Sequence, residues 1–391
     1  MKKLRILLEI LIVSTRLGLT SFGGPTAHLG YFHTEYVRRK KWMDEKSYAD
    51  LVALSQFLPG PASSQVGIGV GVMRGGVFGG LTSFIGFTLP SVIVLMIFAS
   101  LLTTFNIADA GWIHGLKIVA VVIVLHAIMG MGKNLAPDTP RKVIALLALL
   151  GTLLFQSVFT QVGVILVAAV IGFILFKNNE EDDHQSASFP IKKSAAAGCL
   201  ILFFILLFAL PALRELTGSY WIAVIDSFYR SGALVFGGGH VVLPLLEQEL
   251  VPMGWISEEA FLAGYGATQA VPGPLFTFAA YLGTVMNGWI GGLIATAAIF
   301  LPAFLLILGA LPFWDMLRNN AKIKGAVMGV NAAVIGILIS ALYTPIWTSS
   351  ILQAVDFALA AVLFVMLVYF KLPPWVIVVT GALGGTLIGL L

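Results

Sequence analysis

The chain has 391 residues, 58% of them hydrophobic and 11% charged, with a mean hydropathy of +0.96. A soluble protein carries about 25% charged residues, so this surface must mostly face lipid or itself, which excludes a soluble globular domain. The net charge of +4 and pI of about 9.1 do not point to nucleic acid, because Lys and Arg stand at the ends of apolar segments, as topology signals do.

In chain order, Met1-Lys2-Lys3-Leu4-Arg5 does not open a secretory signal, since Glu9 and Arg16 interrupt the apolar run and no small-residue cleavage site follows. Arg16 stands about two turns before Phe22-Gly23-Gly24-Pro25. Glu35, the cations Arg38-Arg39-Lys40-Lys41, Trp42 and Glu45 come next, and then Gln56-Phe57-Leu58-Pro59-Gly60-Pro61. Full spans are expected near 77–104, 112–132, 142–157 and 160–176. A polar run over 177–193, with Glu180-Glu181-Asp182-Asp183 inside it, reads as a loop. One apolar helix, about 194–213, leads to a second set of spans near 289–313, 323–343, 351–370 and 375–391. Cys199, the single cysteine, rules out an intrachain disulfide and a cysteine-based metal cluster.

The two sets are repeats. Arg16, Gly18, Phe22, Gly23, Gly24, Leu29 and Glu35 recur 214 positions later as Arg230, Gly232, Phe236, Gly237, Gly238, Leu243 and Glu249. After one lost residue, Trp42, Glu45, Gln56 and Pro59-Gly60-Pro61 recur as Trp255, Glu258, Gln269 and Pro272-Gly273-Pro274. After another, Gly71, Gly76 and Leu89-Pro90 recur as Gly283, Gly288 and Leu301-Pro302. Agreement of Arg, Glu, Gln, Trp and Pro in one register is not chance. The expected domains are 1–177, a connector of loop and helix over 178–214, and 215–391.

Charge orients the halves. Arg38-Arg39-Lys40-Lys41 faces an uncharged Pro252-Met253-Gly254, and Lys133, Arg141 and Lys142 face an uncharged 343–350. The cation-free loop near 106–112 faces Arg318, Lys322 and Lys324, and that at 157–161 faces Lys371. Every loop changes sign, as the positive-inside rule demands of inverted repeats. The fold class is therefore an all-α polytopic membrane protein of two inverted-topology repeats, with broken or re-entrant helices, joined by one transmembrane helix. This is a secondary-transporter architecture with its site near midplane. The N-terminus then lies in the cytoplasm and the C-terminus outside. Segment 46–74 must enter and leave on one side, a re-entrant hairpin with Pro59-Gly60-Pro61 at its tip.

These breaks carry the chemistry. Proline is favoured at the first helical position, so Pro25 and Pro61 mark helix starts, with free N–H groups and the positive dipole end turned to an anion. The expected substrate-binding set is Phe22, Gly23, Gly24, Gln56, Pro59, Gly60 and Pro61, with Phe236, Gly237, Gly238, His240, Gln269, Pro272, Gly273 and Pro274. Gln56 and Gln269 would offer amide donors, ahead of the hydroxyls of Ser63, Ser64, Thr268 and Thr277. Arg16 and Arg230 read three ways: as a cation pair balancing an oxyanion, in structural pairs with Glu35 and Glu249, or snorkelling to an interface. Glu35 and Glu249 are the candidates for proton coupling, with Asp226 behind them. His28 and His33 follow the first break, and His126, alone in an apolar helix, reads as a core residue. No nucleophile–base set, nucleotide motif or metal-ligand pattern occurs, so neither an enzyme nor a cofactor is expected.

The combination of Phe22-Gly23-Gly24-Pro25, Trp42, Glu45, Gln56 to Pro61 and the glycine-rich tract to Leu89-Pro90, repeated through Phe236-Gly237-Gly238-Gly239-His240, Gln269 and Pro272-Gly273-Pro274, resembles the long, two-domain form of the chromate transporter (CHR) family. The resemblance covers essentially the whole chain. It implies chromate efflux from the bacterial cytoplasm across the inner membrane, with sulfate as a competitor. Sulfate uptake or exchange and a passive anion channel stay open as alternatives. The expected partners are the oxyanion and membrane lipid, not nucleic acid, and a homodimer is the assembly allowed.

Overall fold

The computed structural model describes residues 2–105, 111–155, 157–176, 191–318 and 320–390. The acidic run at 180–183 lies outside the described residues, as does most of the 106–112 loop. The first half comprises α1 (Lys2–Thr20), α2 (Gly24–Phe32, prolonged by a π-helical turn His33–Arg39), α3 (Glu45–Phe57), α4 (Ala62–Phe105), α5 (Gly111–Leu135), α6 (Thr139–Leu154) and α7 (Val158–Leu175). After the connector α8 (Lys193–Thr217) comes α9 (Tyr220–Leu234). A turn Gly239–Val241 leads into α10 (Val242–Leu250), and α11 (Glu258–Thr268) follows. A turn Leu275–Thr277 leads into α12 (Phe278–Ala310), then α13 (Trp314–Arg318), α14 (Ala321–Ala341), α15 (Thr348–Ser350), α16 (Ala354–Val368) and α17 (Pro374–Ile388). Among the described residues there is no strand, and five helical stretches are long and apolar enough to cross a membrane.

The repeat is visible in the backbone. α4 and α12 are each two helices joined by a sharp turn, at Gly75 (φ −139°, ψ 17°) and Gly76 (φ 66°, ψ −163°) in one and Asn287 (φ −147°, ψ 31°) and Gly288 (φ 62°, ψ −161°) in the other. Left-handed φ is cheap for glycine alone, so Gly76 and Gly288 fix both turns. The arms then close tightly. A Cβ added at Gly71 would lie 2.4 Å from the Gly79 carbonyl oxygen, and one at Gly283 2.3 Å from that of Gly291.

Each turn closes a hairpin. In the first, α3 and the short arm of α4 return to one end, where the Arg74 guanidinium lies 5.5 Å from the Trp42 ring. There Glu9 accepts Lys40 at 3.2 Å and Arg74 at 3.3 Å. Asp44 caps α3 by accepting the Ser47 N–H at 2.9 Å, and the Ser47 donors hold its carboxyl below the ordinary value. The second hairpin, α11 and the short arm of α12, closes around Tyr220, which lies 5.3 Å from Trp255 and accepts from the Asn287 amide.

The two closures stand at opposite ends of the long arm of α4. Gly76 begins that arm, whereas Trp289, beside the second closure, donates to Ser100 at 3.1 Å. From 76 to 100 is roughly 36 Å at 1.5 Å per residue. The halves are inverted, as their charges require.

Helix α8 breaks the symmetry. It lies on α9 and α12, where the Tyr229 hydroxyl donates to the Phe203 carbonyl at 2.9 Å and Leu200 fills the hollow at Gly309. Among the described residues nothing takes this place on the first half. Ile12, Leu19, Ile93, Val94 and Ile97 are exposed there, whereas Asp226, Ala233, Leu305, Leu306 and Gly309 at the matching positions are buried.

Inversion puts the 252–254 turn and the 38–41 turn on opposite faces of the membrane. Met253 is 49% exposed and Arg38 is exposed too, so both can report. In a Cys199→Ala background, Met253→Cys and Arg38→Cys should react with an impermeant maleimide from opposite sides. Reaction of both from one side contradicts the inverted fold.

Candidate functional site

The breaks are ordered by backbone hydrogen bonds. Helix α9 ends at Leu234, which leaves the Val235 carbonyl without an intrahelical donor. The N–H of Gly60, at the tip of the first hairpin, donates to it at 2.7 Å. Reciprocally, the N–H of Gly273, at the tip of the second hairpin, donates to the Ser21 carbonyl at 2.9 Å. Ser21 and Val235 are equivalent residues, each just before its Phe-Gly-Gly, so each tip is tied to the break of the other half. Gly60 (φ +113°) and Gly273 (φ +102°) have a backbone that other residues rarely adopt, as do Gly23 (φ +97°) and Gly24 (φ +78°) opposite them.

Beside the first of these bonds is a cavity of about 430 Å³. Three helix starts line it: Pro25 of α2, Ala62 of α4, and Gly238 and Gly239 leading into α10. Gly60 and Gly237 complete the backbone wall, and the polar lining is Ser55, Gln56, Asn134 and Asn331. Ser55 Oγ and Asn331 Oδ1 are buried without a protein partner, so polar capacity remains for a ligand. No Lys or Arg lines the cavity. What the cavity offers an anion is therefore the positive ends of helix dipoles and backbone N–H groups at the helix starts.

The fourth break lies outside. Ser91 donates to the Pro272 carbonyl, and its Oγ lies 2.3 Å from where a Gly273 Cβ would be. Leu275, the counterpart of Ala62, reaches within 3.0 Å of a Cβ built on Gly239. A leucine thus fills on one side the volume that an alanine leaves open on the other. Of the expected residues, Gln56, Gly60, Gly237 and Gly238 line the cavity with Pro25. Phe22, Gly23, Gly24, Pro59, Pro61 and Phe236 flank it in sequence without lining it. Gln269 is buried, its Nε2 unpartnered, on the closed side with Pro272, Gly273 and Pro274.

The charged candidates separate. Arg230 contacts Asp226 at 2.6 Å and Glu249 at 3.1 Å, and Arg214 of α8 contacts the same two carboxylates at 3.2 and 3.6 Å. This four-charge cluster lines its own cavity of about 650 Å³ between α8, α9 and α10. Arg230 is thus in the structural pair, not at the helix starts. Arg16 is in neither place: it is exposed, on the stripe of α1 that carries Ile12 and Leu19. Buried Glu35 pairs instead with Arg39, at 3.3 Å. The difference follows from α8, which covers α9 and supplies Arg214, whereas α1 has no covering helix among the described residues.

The histidines divide likewise. His28 is buried between the Ser21 carbonyl, 3.1 Å from Nε2, and the Ser63 hydroxyl, 3.3 Å from Nδ1. His33 meets Glu45 at 2.5 Å, and His240 Nδ1 is hydrogen-bonded to the Tyr265 hydroxyl at 2.7 Å. His126 is exposed, which corrects its reading as a core residue. Asn134 and Asn331 escaped the sequence reading because neither recurs in the other half, and Ser55 escaped it although its counterpart, Thr268, is a hydroxyl too. The signal for Asn331 was there: an amide amid the apolar residues of a membrane helix marks a pathway or a partner.

A family model described as Chromate transporter matches residues 8–173 and 222–386. The chain is 28% identical to an uncharacterized transporter of Methanocaldococcus jannaschii, over 85% of this chain and 83% of that one. It is 26% identical to a chromate transport protein of Pseudomonas aeruginosa, covering 83% and 77% of the two chains. With a chromate transport protein of Cupriavidus metallidurans it shares 26% identity, over 98% and 92%. No solved structure matches.

Two pairs of substitutions test this geometry. Gly24→Ala, with nothing within 4 Å of the added Cβ, should cost only the left-handed backbone, about 1–2 kcal/mol. Gly273→Ala must also displace the Ser91 hydroxyl, adding about 1 kcal/mol or more. Arg230→Ala leaves buried Asp226 and Glu249 undercompensated and should cost about 3 kcal/mol, whereas Arg16→Ala should leave stability near wild type. Thermal unfolding in detergent would check the order, and equal effects of Arg16→Ala and Arg230→Ala would contradict the asymmetry.

Proposed function

The chain belongs to the chromate transporter family, and we propose that it exports a tetrahedral dianionic oxyanion, chromate first, across a bacterial inner membrane. The observation that carries this reading is the convergence of helix starts from both halves on one cavity free of fixed cations. Helix dipoles and amide donors hold a dianion without neutralising it, so release is as accessible as capture. The relatives named as chromate transport proteins supply the substrate.

Direction follows from topology and voltage. Asn134 and Leu135, near the Lys133–Lys142 end of α5 and α6, stand at the cavity, and the positive-inside rule makes that end cytoplasmic. The N-terminus is then inside and the C-terminus outside, with domains 1–177 and 215–391 on either side of the 178–214 connector. An inside-negative potential favours export by about 2.3 kcal/mol per charge per 100 mV, roughly 4.6 for a dianion.

The Arg–Glu pairs supply a gate. The Arg230–Glu249 pair is formed in the half whose Pro272-Gly273-Pro274 break lies outside the cavity, while Arg16 and Glu35 are apart in the half whose two breaks both line it. If inverted repeats exchange conformations during transport, opening outward parts the Arg214–Asp226–Arg230–Glu249 cluster. Protonation of Glu249 from outside would loosen it, coupling proton entry to anion exit, with Glu35 in the matching role inside. The hairpins re-enter from opposite faces without crossing and carry the helix starts to midplane.

Proteoliposomes loaded with chromate, sulfate or molybdate under set pH and voltage test the proposal. Chromate efflux should exceed that of protein-free vesicles, quicken when the receiving side is acidic, and lose that acceleration in Glu249→Gln. Absence of chromate flux would overturn the reading, and flux indifferent to pH would replace the coupled transporter with a channel.

A further inference from the structure

On the other side of α5 from the helix-start cavity lies a cleft of about 660 Å³ between α5, α6 and α14. Its walls are apolar: Ile128 and Met129 of α5, Leu146 and Leu149 of α6, Ile335 and Ile339 of α14. At one end stand two exposed cations, Lys133 in the last turns of α5 and Lys142 in the first turn of α6. Among the described residues neither has an acidic side chain in an ion pair. Asp138, between them in sequence, is engaged by Arg141, with Nη2 at 2.6 Å and Nε at 2.7 Å. An apolar trough capped by two exposed ammonium groups that form no ion pair among the described residues, with Asp138 held chiefly by Arg141, is complementary to an acyl chain that ends in an anionic headgroup.

We propose that this cleft is a binding site for an anionic phospholipid of the cytoplasmic leaflet, with its acyl chain along α6 and α14 and its phosphate between Lys133 and Lys142. A free oxyanion would satisfy the lysines but leave the apolar walls unused, and a zwitterionic lipid would bring its own cation against them. The site is distinct from the helix-start cavity but shares its wall. Met129, Gly132 and Lys133 face the cleft, whereas Asn134 and Leu135 line the cavity. Leu135 and Met131 pack within 3.1 and 3.4 Å of a Cβ built on Gly237. A lipid in the cleft therefore braces the part of α5 that holds the second break.

Gly132 gives a test that leaves the charges alone. It lines the cleft with nothing within 4 Å of an added Cβ, so Gly132→Phe can occupy the trough without displacing the fold. Purified full-length protein in detergent would be unfolded thermally with phosphatidylglycerol, phosphatidylcholine or inorganic phosphate, and its bound lipid counted by native mass spectrometry. Phosphatidylglycerol should raise the melting temperature of the wild type by about 5 °C and remain bound in the mass spectrum. Phosphatidylcholine and phosphate should do neither. Both effects should be lost in Lys133→Gln/Lys142→Gln and in Gly132→Phe, and where the lysine pair fails to fold, Gly132→Phe decides alone. Retention of phosphatidylglycerol by a folded variant, or equal stabilisation by phosphatidylcholine or by phosphate, overturns the proposal. The readout is binding, so it stands or falls independently of chromate transport.

Discussion

Two backbone hydrogen bonds hold the centre of this molecule, Gly60 to Val235 and Gly273 to Ser21. Each satisfies a carbonyl orphaned where a helix breaks, and each uses a donor at a hairpin tip from the other half. A buried carbonyl left unpaired costs about 1–3 kcal/mol; Val235 takes its donor from the first half, whereas Ser21 also takes His28 Nε2 at 3.1 Å from its own half.

From this constraint the site follows. Once the tips lock, the helices beginning at Pro25, Ala62 and Gly239 must start from nearly the same place, and their N–H groups share one space. What distinguishes the two sides is side-chain volume: Ala62 leaves the cavity that its counterpart Leu275 fills. The same asymmetry reaches the ion pairs. The second half carries a four-charge cluster under α8, while the first leaves Arg16 exposed and turns Glu35 to Arg39.

Much of this was legible in the sequence because it rests on residues with few alternatives. Glycine at left-handed φ, proline at helix starts and cations at segment ends are dictated locally, and their repetition at a 214-residue offset exposed the two halves and their inversion. The turn at Asn287-Gly288, for instance, repeats Gly75-Gly76 within about fifteen degrees in each dihedral. The contents of the cavity were less legible. Asn134 and Asn331 come from helices whose packing is set by long-range contacts, and neither has a partner in the other repeat. Arg16 was misleading for the same reason. Its identity is shared with Arg230, but its environment depends on α8, which lies once in the chain and covers one half. Periodicity reports a residue's chemistry, while the unpaired connector decides its surroundings.

Whether helix starts or arginines hold the dianion is open to direct observation. Chromium gives an anomalous X-ray signal, so crystals of the full chain equilibrated with chromate would locate the ion directly. The account predicts a peak in the cavity lined by Pro25, Gln56, Ala62, Gly239 and Asn331, with backbone N–H groups in its coordination shell. A peak at Arg214 and Arg230 instead, with the helix-start cavity empty, would contradict it.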